Sequence, residues 1–295
     1  MRENIDEDRD ERDDEEGRYQ PVRLHGVLAA AALLTVVAGA QLFILPEQTA
    51  RFFAWTIKAP PTAAFLGACY WASCGMFVFA AREHTWANVR AVAPGALAFT
   101  ALTLGATLLN LPAFHFGSSD PVAAAAAWAW LVVYLVAPPG WFLFLFINDR
   151  RVGEDPPVRR RLPRALLLLI AVQAAVLTGV GIALYLDPTG LPVLPWKLTS
   201  LTGRMVGAWL VALGVTGFAA LIEPDRRRVG APLVAYALLG GLQLLGLARY
   251  AFALHLDPTL ALEYAIFALS VLLVGIEGAR LALRDPRRRA APLIR

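Results

Sequence analysis

The 295 residues are 58% apolar before the 23 glycines are counted, and only 17% carry charge, against ~45–50% apolar with glycine included and ~25% charged in soluble domains. That charge is segregated, with 15 of the 50 charged side chains in residues 1–24, 9 in 149–164 and 6 in 284–295. Such a distribution disfavours a cytosolic enzyme, a nucleic-acid binder and a secreted disulfide scaffold, and it points to a chain that crosses a membrane several times.

Residues 1–24 hold ten acids and five arginines, net −5, which leaves +9 on the remainder. Residues 1–20 are almost wholly polar and read as a disordered acidic tail; no short small-residue cleavage pattern follows the first apolar run, so it is not a signal peptide. A hydrocarbon core of ~30 Å needs about 20 apolar helical residues. Eight runs meet that need, at 25–45, 62–81, 91–110, 122–148, 165–186, 204–222, 229–248 and 259–283. Cys69 and Cys74 lie in one run, five residues and ~7.5 Å of helical rise apart, beyond comfortable disulfide reach.

Orientation follows from Lys and Arg. The tail, the connections after the second, fourth and sixth runs, and the C-terminus carry 22 basic residues, and the alternate connections carry 5. This split predicts eight spans with both termini cytoplasmic. Only Lys58 and Lys197 are lysines among 27 basic residues; with the heavy Ala, Leu, Gly and Arg usage this suggests a GC-rich bacterial genome and hence the bacterial cell membrane. Juxtamembrane arginines, Arg150–Arg164 and Arg284–Arg289, suit anionic head groups, and no nucleic-acid partner is expected.

The chain also repeats. Thr62, Gly67, Ala68, Glu83, Val89 and His115 recur 140 residues later as Thr202, Gly207, Ala208, Glu223, Val229 and His255. Trp55 recurs as Trp196, Pro46 as Pro188, and Asp120-Pro121 as Asp257-Pro258, at offsets of 141, 142 and 137. The expected organisation is an all-α polytopic bundle: an acidic tail (1–24), a first four-helix repeat (25–150), an Arg/Pro-rich linker (151–163), a second repeat (164–286) and a basic C-terminal tail (287–295). Four spans per unit is even, so the repeats should be parallel, related by an axis along the membrane normal.

Several repeated positions have structural readings. Thr62 and Thr202 are expected N-caps, the Asp-Pro pairs a capping carboxylate with proline at the first helical position, and the Gly-Ala pairs points of close helix approach. Trp55 and Trp196 are expected at the outer interface, with a short interfacial helix over residues 49–55. Pro138-Pro139-Gly140 predicts a kink in the fourth span. The run from Leu194 to Trp209, and more weakly Trp55 to Ala68, resembles uncharacterised multi-pass membrane proteins of high-GC bacteria. That resemblance implies a membrane location and no activity.

Candidate sites are few. The deep polar residues Ser73, Thr100, Thr103, Gln173, Thr178 and Gln243, with Gln41 and Asn110 nearer the outer side, read as interhelical hydrogen bonds worth ~0.6–2 kcal/mol. No carboxylate falls at mid-span, which disfavours a proton- or sodium-coupled carrier. Charges gather instead at the outer ends: Arg204 opens the sixth span, Arg249 ends the seventh, and Glu263 lies just over a turn into the eighth. His115 and His255 sit in outer connections beside Asp120 and Asp257. The functional reading of Glu263, Arg249, Arg204, His115 and His255 is an outward-facing polar pocket between the halves. The structural reading is a packing pair of Glu263 with Arg249 or Arg204, plus interfacial histidines and caps. A metal on two histidines and two aspartates is weaker still, and no cofactor is expected. No His-Glu-x-x-His, Gly-x-Ser-x-Gly, Walker or Cys-x-x-Cys pattern names a catalytic centre. Three classes of function stay open: a protein that binds or moves a small molecule or lipid, a non-transporting assembly subunit, and a membrane-embedded lipid-modifying enzyme.

Overall fold

The structure is a computed structural model that describes residues 22, 24–150, 155–158, 160–251 and 257–284. The acidic tail, His255, Arg289 and the rest of the basic C-terminal tail lie outside the described residues. The helices are α1 (His25–Phe43), α2 (Thr49–Phe52), α3 (Pro60–Ala80), α4 (Ala93–Leu109), α5 (Pro121–Asp149), α6 (Arg164–Leu186), α7 (Ser200–Ile222), α8 (Gly230–Tyr250) and α9 (Pro258–Leu283). All but α2 are long and apolar enough to cross a membrane, and these eight coincide with the eight expected runs. No strand occurs among the described residues, only two isolated bridges, Trp55 to Phe114 and Arg161 to Asp225.

Local chemistry sets the helix starts. Asp120 accepts from the Val122 amide at 2.9 Å, and Asp257 from the Thr259 and Leu260 amides at 3.0 Å; in each case proline follows at the first helical position, where its missing N–H costs nothing. The threonine expectation needs correction. Thr199 is the N-cap of α7, and Thr202 is its capping-box partner. Thr62 occupies the third position of α3, behind Pro60 and Pro61, and its hydroxyl accepts from Trp196 Nε1 at 2.8 Å. The proline pair Pro138-Pro139 sits inside α5, which runs through it as one 29-residue helix.

Helices pair as α1 with α3, α4 with α5, α6 with α7 and α8 with α9; across the halves, α3 packs on α8 and α4 on α7. Half or more of each inner helix (α3, α4, α7, α8) is buried, against a third or less of each outer one (α1, α5, α6, α9). The outer helices turn Leu33, Val132, Leu168 and Ile266 outward. In water a belt of such side chains would be a liability; against acyl chains it is the expected surface.

Small residues bring the inner and outer helices together. A Cβ added to Gly67 would overlap the Phe43 backbone, and one added to Gly207 would overlap Tyr185 and the Gly181 carbonyl. On the partner helices, Gly39 is covered by the Trp71 ring and Gly181 by the Val211 backbone. Lipid tails are as apolar as leucine, so helix association in a bilayer relies on such close backbone contact.

Candidate ligand-binding cavities

Among the described residues, Arg204, Arg249, Glu263 and His115 do not line one cavity; His255 lies outside the described residues. Arg249 donates to the Phe43 carbonyl at 2.9 Å and pairs with Glu47 at 3.5 Å; Arg204 is bonded to Ser200, one turn back on its own helix. Glu263 is exposed and, among the described residues, forms no ion pair with either arginine, so the expected Glu263–Arg249 or Glu263–Arg204 bridge is replaced by Arg249–Glu47. The reason is reach: the chain leaving α1 brings Glu47 to the end of α8, and Tyr250 also donates to it at 3.0 Å.

His115 is a structural residue. Its ring nitrogens lie 3.0 Å from the Phe53 carbonyl and 3.0 Å from Thr56 Oγ1, and its amide donates to the Ala54 carbonyl. It thereby pins the connection after α4 onto residues 53–56. Trp55, expected at the interface, is instead 2% exposed, packed on Phe53, Phe114 and Trp130. Among the described residues no group of three His, Cys, Asp or Glu side chains could hold a metal.

Two partly open cavities occur among the described residues instead. The first, about 460 Å³, is built mostly by the first half. Its lining reaches Leu33 and Val37 of α1, both exposed, and Ala129 and Val133 of α5. Its depth is lined by Tyr70, Phe99, Trp130, Tyr134 and, from the second half, Trp209 and Tyr236. Space arises because α1 and α5 scarcely touch and because Ala72, Ser73, Gly95, Ala96 and Ala212 put little volume between them. The aromatic wall is tightly ordered. Phe99 stacks on Trp209 at 3.8 Å, Tyr70 meets Trp209 edge-on at 5.0 Å, and the Tyr70 and Tyr134 hydroxyls share a hydrogen bond of 2.7 Å.

The second cavity, about 380 Å³, lies among α6, α7, α8 and α9. Repeat offsets relate the two: Trp130 corresponds to Phe267, Phe99 to Leu239, and Ala126 to Glu263, each lining its own cavity. The second is more polar in one corner. Tyr264 donates to Gln243 Oε1 at 2.6 Å, and Gln243 Nε2 donates to the Phe65 carbonyl at 3.2 Å. It is also bridged across its outer helices, where Gln173 donates to Ser270 at 3.1 Å. The corresponding first-half residues, Ala31 and Val133, have no side-chain polar group, which leaves the α1/α5 crevice unbridged.

At the opposite end from Glu263, charges are buried across the halves. Glu223 pairs with Arg228 and with Arg90, Glu83 takes Arg227 Nε at 3.3 Å and Asn88 at 2.9 Å, and Arg90 also holds Asp155 at 2.7 Å.

Sequence reasoning used Glu83 and Glu223 only as repeat markers, and it passed over the cavity aromatics. One signal was present: Trp130, Tyr134 and Trp141 recur along one face of α5, above a run of five alanines. No protein-family model, curated protein or solved structure matches the chain.

Proposed function

We propose that this chain is an integral membrane protein that takes an apolar or amphipathic molecule out of the lipid phase into the α1/α5 cavity. The carrying observation is a cavity of about 460 Å³, within the ~300–1,000 Å³ of small-molecule sites. Aromatic and aliphatic side chains wall it, and its lining reaches two helices whose outer faces are apolar. Water gains little there, because a site needs two to four polar partners per molecule. A hydrocarbon chain restores the dispersion contacts an empty lining lacks. The Tyr70–Tyr134 hydroxyls give one polar point for orientation. This site is walled mostly by the first half and closed by Trp209 and Tyr236 of the second.

The same reading includes a bacterial inner-membrane location, cytoplasmic termini and two parallel four-span repeats. Support for the repeat comes from pairing: exchanging the halves turns α3 on α8 into α7 on α4, and the Gly67–Phe43 contact into Gly207–Tyr185. Support for orientation is the 22-to-5 basic asymmetry.

A fatty acid bearing a diazirine on its chain tests the ligand reading. Photolysis in membranes should label Ser73, Thr100 and Tyr134 from within the cavity, and Ala96→Phe should remove that labelling. Label confined to the outward residues Trp128, Val132 and Phe142 would sink the proposal.

A further inference from the structure

Glu263 is unexplained by packing. Its first-half counterpart is Ala126, so the architecture does not require a carboxylate there, and the side chain is exposed with no ion pair among the described residues. The arginines nearest by sequence logic are engaged elsewhere, Arg249 with Phe43 and Glu47, and Arg204 with Ser200. Yet Glu263 lines the second cavity together with Leu177, Leu210, Leu239 and Phe267.

We infer that this second cavity is a separate site for an amphiphile bearing an ammonium group, whose alkyl chain fills the cavity and whose cation rests on Glu263. The lining selects the sign of charge. Gln243 spends its amide protons on the Phe65 carbonyl and Cys69 Sγ, and its oxygen receives Tyr264. Among the described residues no cationic side chain lines the cavity, so an anionic head group meets a carboxylate and no counter-charge from them. An ammonium meets that carboxylate and the nearby Tyr264 ring, itself packed edge-on against Trp196 at 5.8 Å; such a face adds cation–π attraction. The apolar walls supply the rest of the affinity, as in the first cavity, but this inference does not depend on what the first cavity holds.

The test compares dodecylamine, dodecanol and dodecanoate, below their micellar concentrations at pH 7, binding to the full chain in an uncharged sugar detergent. Dodecylamine should bind at least about tenfold more tightly than dodecanol, the worth of a charge-assisted hydrogen bond, and dodecanoate more weakly than either. Glu263→Gln should bring dodecylamine to the dodecanol level with the thermal midpoint unchanged, since the side chain is exposed. Ser73→Phe, which blocks the first cavity, should leave the amine preference intact. Equal binding of amine and alcohol, an unchanged amine affinity in Glu263→Gln, or loss of the preference in Ser73→Phe instead would each overturn the inference. All three leave the α1/α5 proposal standing, since it claims no preference for an amine.

Discussion

Glu83 accepts from Arg227 Nε at 3.3 Å, while Glu223, its counterpart 140 residues on, pairs with Arg90. Each carboxylate ends an inner helix of its own half and takes a guanidinium from the other half. Each also has a partner five residues downstream, Asn88 for Glu83 and Arg228 for Glu223. The charges are well shielded, with Glu83 3% and Glu223 9% exposed. Removing one member of such a pair leaves the other as a buried uncompensated charge, which costs about 3–5 kcal/mol. Glu223→Gln should therefore lower the thermal midpoint sharply in detergent, whereas Glu263→Gln should stay within about 0.5 kcal/mol, as for an exposed substitution. Equal effects of the two would remove the buried-latch account.

The close contacts at Gly67 and Gly207 predict that Gly67→Ala and Gly207→Ala each destabilise by about 1–3 kcal/mol, the range for overpacking. Gly179, in the same helix as Gly181, faces open space. Gly179→Ala should be neutral or stabilising by up to about 1 kcal/mol through helix propensity. Thermal denaturation of the three variants side by side checks this, and a similar loss in all three would contradict it.

These two cases show what was legible in the sequence. Span number and limits were, because a bilayer forces some twenty consecutive apolar residues and leaves charge only at the ends. The Asp-Pro helix starts and the glycine contacts were also legible, since each depends on backbone geometry a few residues long. The partner of Glu263 was not, because spacing along the chain does not say which connection folds over which helix end; Glu47 reached Arg249 first. Trp55 was misplaced for a similar reason: an indole near a span end suits the interface, but the strand-like bridge to Phe114 and the His115 bonds fold it under. The cavity depended on α1 and α5 failing to close, a property of the whole bundle that no local pattern carries.

The Tyr70–Tyr134 pair separates hydrogen bonding from shape. Tyr134→Phe leaves a buried Tyr70 hydroxyl unsatisfied and should cost about 1–3 kcal/mol, whereas the double change Tyr70→Phe with Tyr134→Phe removes both groups and should be nearly neutral. If the double variant loses as much as both single changes together, the hydroxyls do not act as a pair.

Orientation is checked by reporter fusions. Fusions after residue 20, within 150–162 and after 286 should report cytoplasm, and those within 114–119 and 189–195 the opposite side. A cytoplasmic signal from 114–119 is incompatible with the eight-span topology.

The most direct measurement is a high-resolution cryo-electron microscopy map of the full chain in lipid nanodiscs. The account predicts elongated density between α1 and α5 that enters past Val37 and Val133 and ends against Trp209 and the Tyr70–Tyr134 hydroxyls, and that disappears in Ala96→Phe. A map in which α1 closes on α5 and side chains fill the space, with no density between them, would contradict it.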